Sequence, residues 1–142
     1  MQFELVSPER RLASMDDANS VRIPGADGDL TAMADHAPTI TSLRPGILTV
    51  ETSSGDKSFV VTGGFAEIGA GVTVLAERAL ATSDVTQDVY DDWVAEAQTA
   101  HRDATGKGAD APEGAVDAAA KLLADMVAIG GHIGLDAKQP NL

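Results

Sequence analysis

The chain holds 142 residues with 22 acids against 10 bases, a formal net charge of −12, and it is 44% hydrophobic but only 4% aromatic. That length suits one compact domain, or a small domain with an appendage, around an aliphatic core. The charge argues against a nucleic-acid binder and against an electrostatic hold on anionic lipid, and a chain without cysteine offers no disulfide, thiolate chemistry or Cys-based metal site.

Phe3 to Val6 reads as a short strand stopped by Ser7-Pro8, and Leu12 to Met15 as a second that turns at Asp16-Asp17. The rest of the β-rich part is organised around the stretch from Val21 to Gly46. Its clusters Ile23-Pro24-Gly25, Asp27-Gly28-Asp29, Asp35-His36-Ala37-Pro38 and Leu43-Arg44-Pro45-Gly46 read as turns between short strands, because Pro fixes φ and Gly admits φ > 0. Ser20 to Ile23 alternates as a half-buried strand should, and Ile40 to Leu43 follows the His36 turn. Gly46 to Thr52 and Lys57 to Thr62 form a hairpin about Ser53-Ser54-Gly55-Asp56, with Phe59 and Val61 on one face. Gly63-Gly64 interrupts, then Phe65 to Ile68 and Val72 to Ala76 pair across Gly69-Ala70-Gly71. Many short strands with close turns predict a sandwich or flattened barrel.

The pattern changes near Ser83. Val85, Val89, Trp93 and Ala97 make a narrow apolar stripe on a first helix, with Asp88, Asp91, Asp92 and Glu96 between them. Thr105 to Ala111 is loop, and Asp110-Ala111-Pro112-Glu113 is a helix-start signature. Val116, Ala119, Ala120, Leu123 and Val127 form the second stripe, which Gly130-Gly131 ends. The expected fold is mainly β plus α: an N-terminal antiparallel β-sandwich over residues 1–82, then a C-terminal antiparallel helix hairpin over 83–142. Ala-rich stripes bury little area, so the hairpin is expected to be the weaker part.

Little in the sequence suggests catalysis. His36, His101 and His132 stand apart, with no HExxH pattern around them. Gly63-Gly64 and Gly69-Ala70-Gly71 lack the βαβ context of a dinucleotide fingerprint, and Gly106-Lys107-Gly108 lacks the rest of a phosphate-binding loop. Asp27-Gly28-Asp29 with Thr31 has the opening of a calcium loop, but Ala32 and Pro38 fall where Gly and Glu are needed. No metal or cofactor is expected.

Val6-Ser7-Pro8-Glu9, Ile23-Pro24-Gly25 with Asp27-Gly28-Asp29, His36-Ala37-Pro38, Leu43-Arg44-Pro45-Gly46, Gly63-Gly64-Phe65-Ala66-Glu67 and Val72-Thr73-Val74-Leu75-Ala76 occur in this order. Together they resemble the epsilon subunits of bacterial F-type ATP synthases, counterparts of the mitochondrial delta subunit. The resemblance spans most of Phe3 to Arg78 and implies the same sandwich-plus-hairpin architecture. It also implies a non-catalytic rotor subunit of the central stalk, peripheral on the cytoplasmic face of a bacterial inner membrane, which couples proton-driven c-ring rotation to ATP synthesis. The implied partners are the gamma subunit, the c-ring and, through the hairpin, the alpha and beta subunits, with membrane contact only through the complex. Asp27, Gly28 and Asp29 match the family turn that meets the c-ring loops. His36, Ala37, Pro38 and Thr41 match the region that contacts gamma.

Two departures from the family are informative. Some members bind ATP through a Leu/Ile-Asp-x-x-Arg-Ala motif, whereas Val85, Thr86, Val89 and Tyr90 here supply neither that Asp nor that Arg, so no nucleotide is expected. In other members the hairpin extends and inhibits through basic residues. Residues 83–142 carry 11 acids against 4 bases, a net −7, which predicts a weak inhibitor or none. Two readings from other classes stand beside this one. The first is a free-standing acidic β-sandwich that binds a small ligand or carbohydrate; the second is a hydrolase built on Asp27, Asp29 and His36. At Asp27 and Asp29 the plain alternative is a pair of solvated turn acids.

Overall fold

The computed structural model describes residues 1–34 and 37–135, and the chain forms two compact units, Met1–Asp84 and Val85–Leu142. The first unit is built from ten strands: β1 (Phe3–Val6), β2 (Arg11–Met15), β3 (Ala18–Gly25), β4 (Gly28–Ala32), β5 (Thr39–Leu43), β6 (Gly46–Thr52), β7 (Gly55–Val61), β8 (Gly64–Ile68), β9 (Val72–Ala76) and β10 (Ala79–Ala81). They run in the order β10-β7-β6-β3-β5-β8-β9-β1-β2, with β4 beside β3. The end strands β10 and β2 approach each other, so the sheet curls into the expected, nearly closed sandwich. Inward residues Phe3, Leu5, Val21, Ile23, Leu48 and Val50 are fully buried. Apart from Ile23, which buried Pro24 follows, they alternate with exposed or half-buried neighbours, the period-2 pattern that made these strands legible.

Four features of the sheet differ from expectation. The pairing is not wholly antiparallel, since β1 runs parallel to β9 with Phe3 opposite Val72 and Leu5 opposite Val74. Strand β3 runs through Pro24 to Gly25 rather than turning at Ile23. Its ladder with β6 ends at Arg22 and its contact with β5 begins at Gly25. The missing N–H of Pro24 therefore falls in the gap between two partners, where no ladder bond is lost. Strand β4 takes in Gly28 and Asp29, which read as part of an acidic turn, and GDLTA offers only Leu30 and Ala32 as inward residues. The short β10, followed by a 3-10 turn over Thr82–Asp84, likewise has too few residues to show a period.

The second unit is a pair of helices, α1 (Gln87–Gly106) and α2 (Ala115–Ile133). Thr86 caps α1 by accepting the Val89 N–H at 3.2 Å. The buried residues of α1 are Tyr90, Trp93, Val94 and Ala97, an i, i+3, i+4, i+7 set. The expected four-residue repeat drifts by about 40° per step at 3.6 residues per turn, which is why Val89 is only half-buried. Helix α2 starts later than the Asp110-Pro112 signature suggests: Gly108–Asp110 is a 3-10 turn and Gly114 is the N-cap. It also continues through Gly130-Gly131 and ends at Gly134. Its buried side is Met126, Ile129 and Gly130, so Val127, expected in the stripe, is 41% exposed.

Gly64 begins β8 with φ +117°, and a Cβ there would lie 2.0 Å from the Leu75 carbonyl oxygen. Gly64→Ala combines backbone strain with overlap against fixed backbone, so a loss of about 3 kcal/mol or more is expected. Gly69→Ala, with open space and no positive φ, should stay within about 1 kcal/mol. Urea midpoints of the two variants check this.

Candidate functional site

The matched segments converge on two surfaces of the sandwich. The first is the tip of the β3–β4 hairpin. Gly25 pairs with Gly28 and Pro24 with Asp29, which leaves Ala26-Asp27 as the turn. The three residues expected to share one exposed turn are thus divided. Asp27 stands at the tip, Gly28 supplies φ +135°, and Asp29 lies on β4. Asp27 is exposed, whereas the Asp29 carboxylate accepts a hydrogen bond from Arg44 Nη2 in an ion pair. Arg44 Nη1 also donates to the Gly25 carbonyl at 2.6 Å. Two backbone bonds tie the same crossing, Arg44 N–H to Pro24 O at 3.0 Å and Ala26 N–H to Ser42 O at 2.8 Å. Gly46 closes it, since a Cβ there would meet the Pro24 side chain at 2.7 Å. The Leu43-Arg44-Pro45-Gly46 cluster is therefore a clamp under the acidic tip.

The second surface is the outer face of β5, β8, β9 and β1. Ser42 lies opposite Phe65, Phe65 opposite Leu75, and Leu75 beside Val6. Ile40 sits in the next row, opposite Glu67. Ile40, Phe65 and Leu75 are 73%, 56% and 53% exposed, which forms an apolar band where a half-buried sheet would normally present polar groups. Such bands mark interaction surfaces. The row of Ile40 continues through Glu67, Thr73 and Glu4, and Glu4 pairs with Arg11 Nε at 2.9 Å. Beside this face a shallow cleft of about 390 Å³ lies between Pro38, Glu67, the Gly69–Gly71 turn and Glu4.

Ala37 and Pro38 are exposed next to this face. His36 lies outside the described residues. Thr41 pairs with buried Ala66, so it faces inward and is half-buried near Gly25; the outward residues of β5 are Ile40 and Ser42. The apolar band was missed in the sequence because an exposed Phe or Leu on a strand becomes visible only once the inward parity is known.

At the second unit's first helix, Val85 and Tyr90 are buried, Thr86 is the cap and Val89 is half-buried. The first turn contributes Asp88 and no cation, an arrangement without the groups that hold phosphates. Among the described residues no helix is long and apolar enough to cross a membrane.

Residues 1–82 match the family model of the ATP synthase delta/epsilon chain, beta-sandwich domain. The chain is 57% identical over 137 residues to an ATP synthase epsilon chain of Rhodobacter capsulatus, covering 95% of this chain and 97% of that one. It is 52% identical over 143 residues to that of Paracoccus denitrificans, covering 99% and 95%. The fold is similar to a chain in the central stalk/c-ring structure of the Tetrahymena thermophila mitochondrial ATP synthase, with a TM-score of 0.63, 20% identity, and coverage of 93% of this chain and 94% of that chain.

Arg44→Met should cost about 1–2 kcal/mol, the value of a half-buried charge-assisted hydrogen bond. Asp29→Asn should cost under about 1 kcal/mol, because that carboxylate is more than half exposed and screened. Denaturation midpoints give the difference, and amide chemical-shift changes in both variants are expected to concentrate at residues 24–29 and 42–46.

Proposed function

The chain belongs to the ATP synthase epsilon chain family, and on that premise we propose that it is a non-catalytic rotor subunit of the central stalk. In this role the sandwich is held between the gamma subunit and the polar loops of the c-ring, on the cytoplasmic face of a bacterial inner membrane. The single observation that carries the assignment is identity above half along nearly the whole length of a named epsilon chain. Two physical features agree with it.

The apolar band of Ile40, Phe65 and Leu75, with Ala37 and Pro38 at its border, is the surface proposed for gamma. Burying three such side chains supplies several kcal/mol at about 25 cal/mol per Å². His36, three residues before β5 in the sequence, and Thr41 are proposed to act with this face, Thr41 by holding that strand in place. The tip of Asp27, Gly28 and Asp29 is proposed for the c-ring. A carboxylate on a clamped hairpin suits basic loop residues, and charge complementarity there sets register more than affinity.

Torque transmission needs a part that does not yield, and the Arg44 clamp under the tip provides one. Catalysis is left to other subunits. The hairpin, with its net −7 over residues 83–142, is proposed to inhibit weakly or not at all, because an acidic target would repel it.

Tagged chain recovered from solubilised membranes is expected to bring down gamma and the c-ring. Ile40→Glu or Phe65→Glu should reduce gamma recovery at least about tenfold, the effect of an unpaired charge placed in a buried contact. Recovery of a partnerless monomer would reject the stalk assignment. Removing residues 85–142 should change the ATPase rate of the assembled enzyme by less than about twofold, under roughly 0.5 kcal/mol in barrier. A several-fold rise would show that the hairpin inhibits.

A further inference from the structure

Two glycines, Gly130 and Gly131, sit inside the last turns of α2, and a third, Gly134, is its left-handed cap. Glycine weakens a helix interior relative to alanine, so this end of α2 has poor intrinsic stability. It is nevertheless the part of α2 that holds the buried residues Met126, Ile129 and Gly130. Across from it lies Tyr90, fully buried in the first turn of α1. Its hydroxyl lies 3.1 Å from the Met126 carbonyl and 2.9 Å from the Val127 carbonyl, and it donates its one proton between them. The ring reaches this position because residue 130 has no side chain: a Cβ there would lie 2.4 Å from the Tyr90 hydroxyl oxygen and 2.6 Å from Cζ. Gly131, the next residue, has nothing within 4 Å of its Cβ position.

We propose that Tyr90 seated over Gly130 is a latch that fastens the helix hairpin and keeps the C-terminal end of α2 helical. The latch joins the first turn of α1 to the last turns of α2, the place where an antiparallel pair has its free ends opposite the connecting loop. Releasing it frees those ends while the loop still joins the helices. The hairpin then opens from the Tyr90 end, and the α2 terminus frays first. Nothing in this device depends on which partners the sandwich meets.

The two adjacent glycines give the test opposite signs. In the full chain, hydrogen–deuterium exchange of the α2 amides and quenching of Trp93, the single tryptophan and one turn beyond Tyr90, are measured for three variants. Gly131→Ala should slow exchange at the end of α2 about fivefold, the ordinary gain of alanine over glycine. Gly130→Ala should instead speed it and expose Trp93 to quencher, because the methyl meets the Tyr90 ring and also the Leu135 carbonyl oxygen, 2.7 Å from the Cβ position; Tyr90→Phe separates the two causes. Tyr90→Phe, which keeps the ring and its packing, should speed exchange from Met126 to Ile133 about tenfold, as expected for one lost hydrogen bond, and leave the β6–β7 amides unchanged. Slower exchange in Gly130→Ala, or unchanged α2 protection in Tyr90→Phe, would overturn the latch. If Gly130→Ala fails to fold, Tyr90→Phe alone decides.

Discussion

Insertion of the first strand between β9 and β2 is the constraint on which the sandwich depends. Strand β1 is parallel to β9, about seventy residues later, and antiparallel to β2. Without it the sheet would end at β9, with an open row of donors and acceptors. Gly71 makes the approach possible, since a Cβ there would be 2.7 Å from the Gln2 carbonyl, and Val72 N–H donates to that same carbonyl at 2.9 Å. The terminal ammonium adds a bond to the Ala18 carbonyl at 2.8 Å. Parallel pairing over so long a separation costs loop entropy before it is rewarded. The closed sheet repays this by burying Phe3 and Leu5 completely.

Once the sheet is closed, its outer surface becomes a fixed platform, and the two candidate contact regions differ in how they are held. The acidic tip is a hairpin tied down by Arg44 through one carbonyl, one carboxylate and neighbouring backbone bonds. The apolar band needs no such device, because four paired strands set its side chains in register. The contacts proposed above, with a ring at the tip and a shaft at the band, would use one surface of each kind.

The helix pair is organised differently. Among the described residues its buried helical side is small: Tyr90, Trp93, Val94 and Ala97 from α1 and Met126, Ile129 and Gly130 from α2. With so little apolar area, a single hydroxyl on two carbonyls weighs more than it would in the sandwich. The acidic faces of the helices, with Lys121–Asp125 as one local pair at 2.9 Å, keep the outside solvated.

The sequence by itself determined most strands, the change to helices near Ser83, and the family. Period-2 alternation and Pro/Gly punctuation are local signals, and the ordered motifs from Val6 to Ala76 are a one-dimensional pattern. Tertiary structure decided what depends on partners distant in the chain. Pro24 continues a strand because β3 changes neighbours beside it, and β1 lies parallel because β9 offers the open edge. Asp29 is tied to Arg44, fifteen residues away, while Asp27 remains exposed. Ile40, Phe65 and Leu75 form a band only when three strands align. Gly130 reads as a helix stop, yet it lies inside α2, where the ring of a tyrosine forty residues earlier occupies the space its missing side chain leaves. Local chemistry sets which element each segment prefers; only the assembled fold sets what each side chain faces.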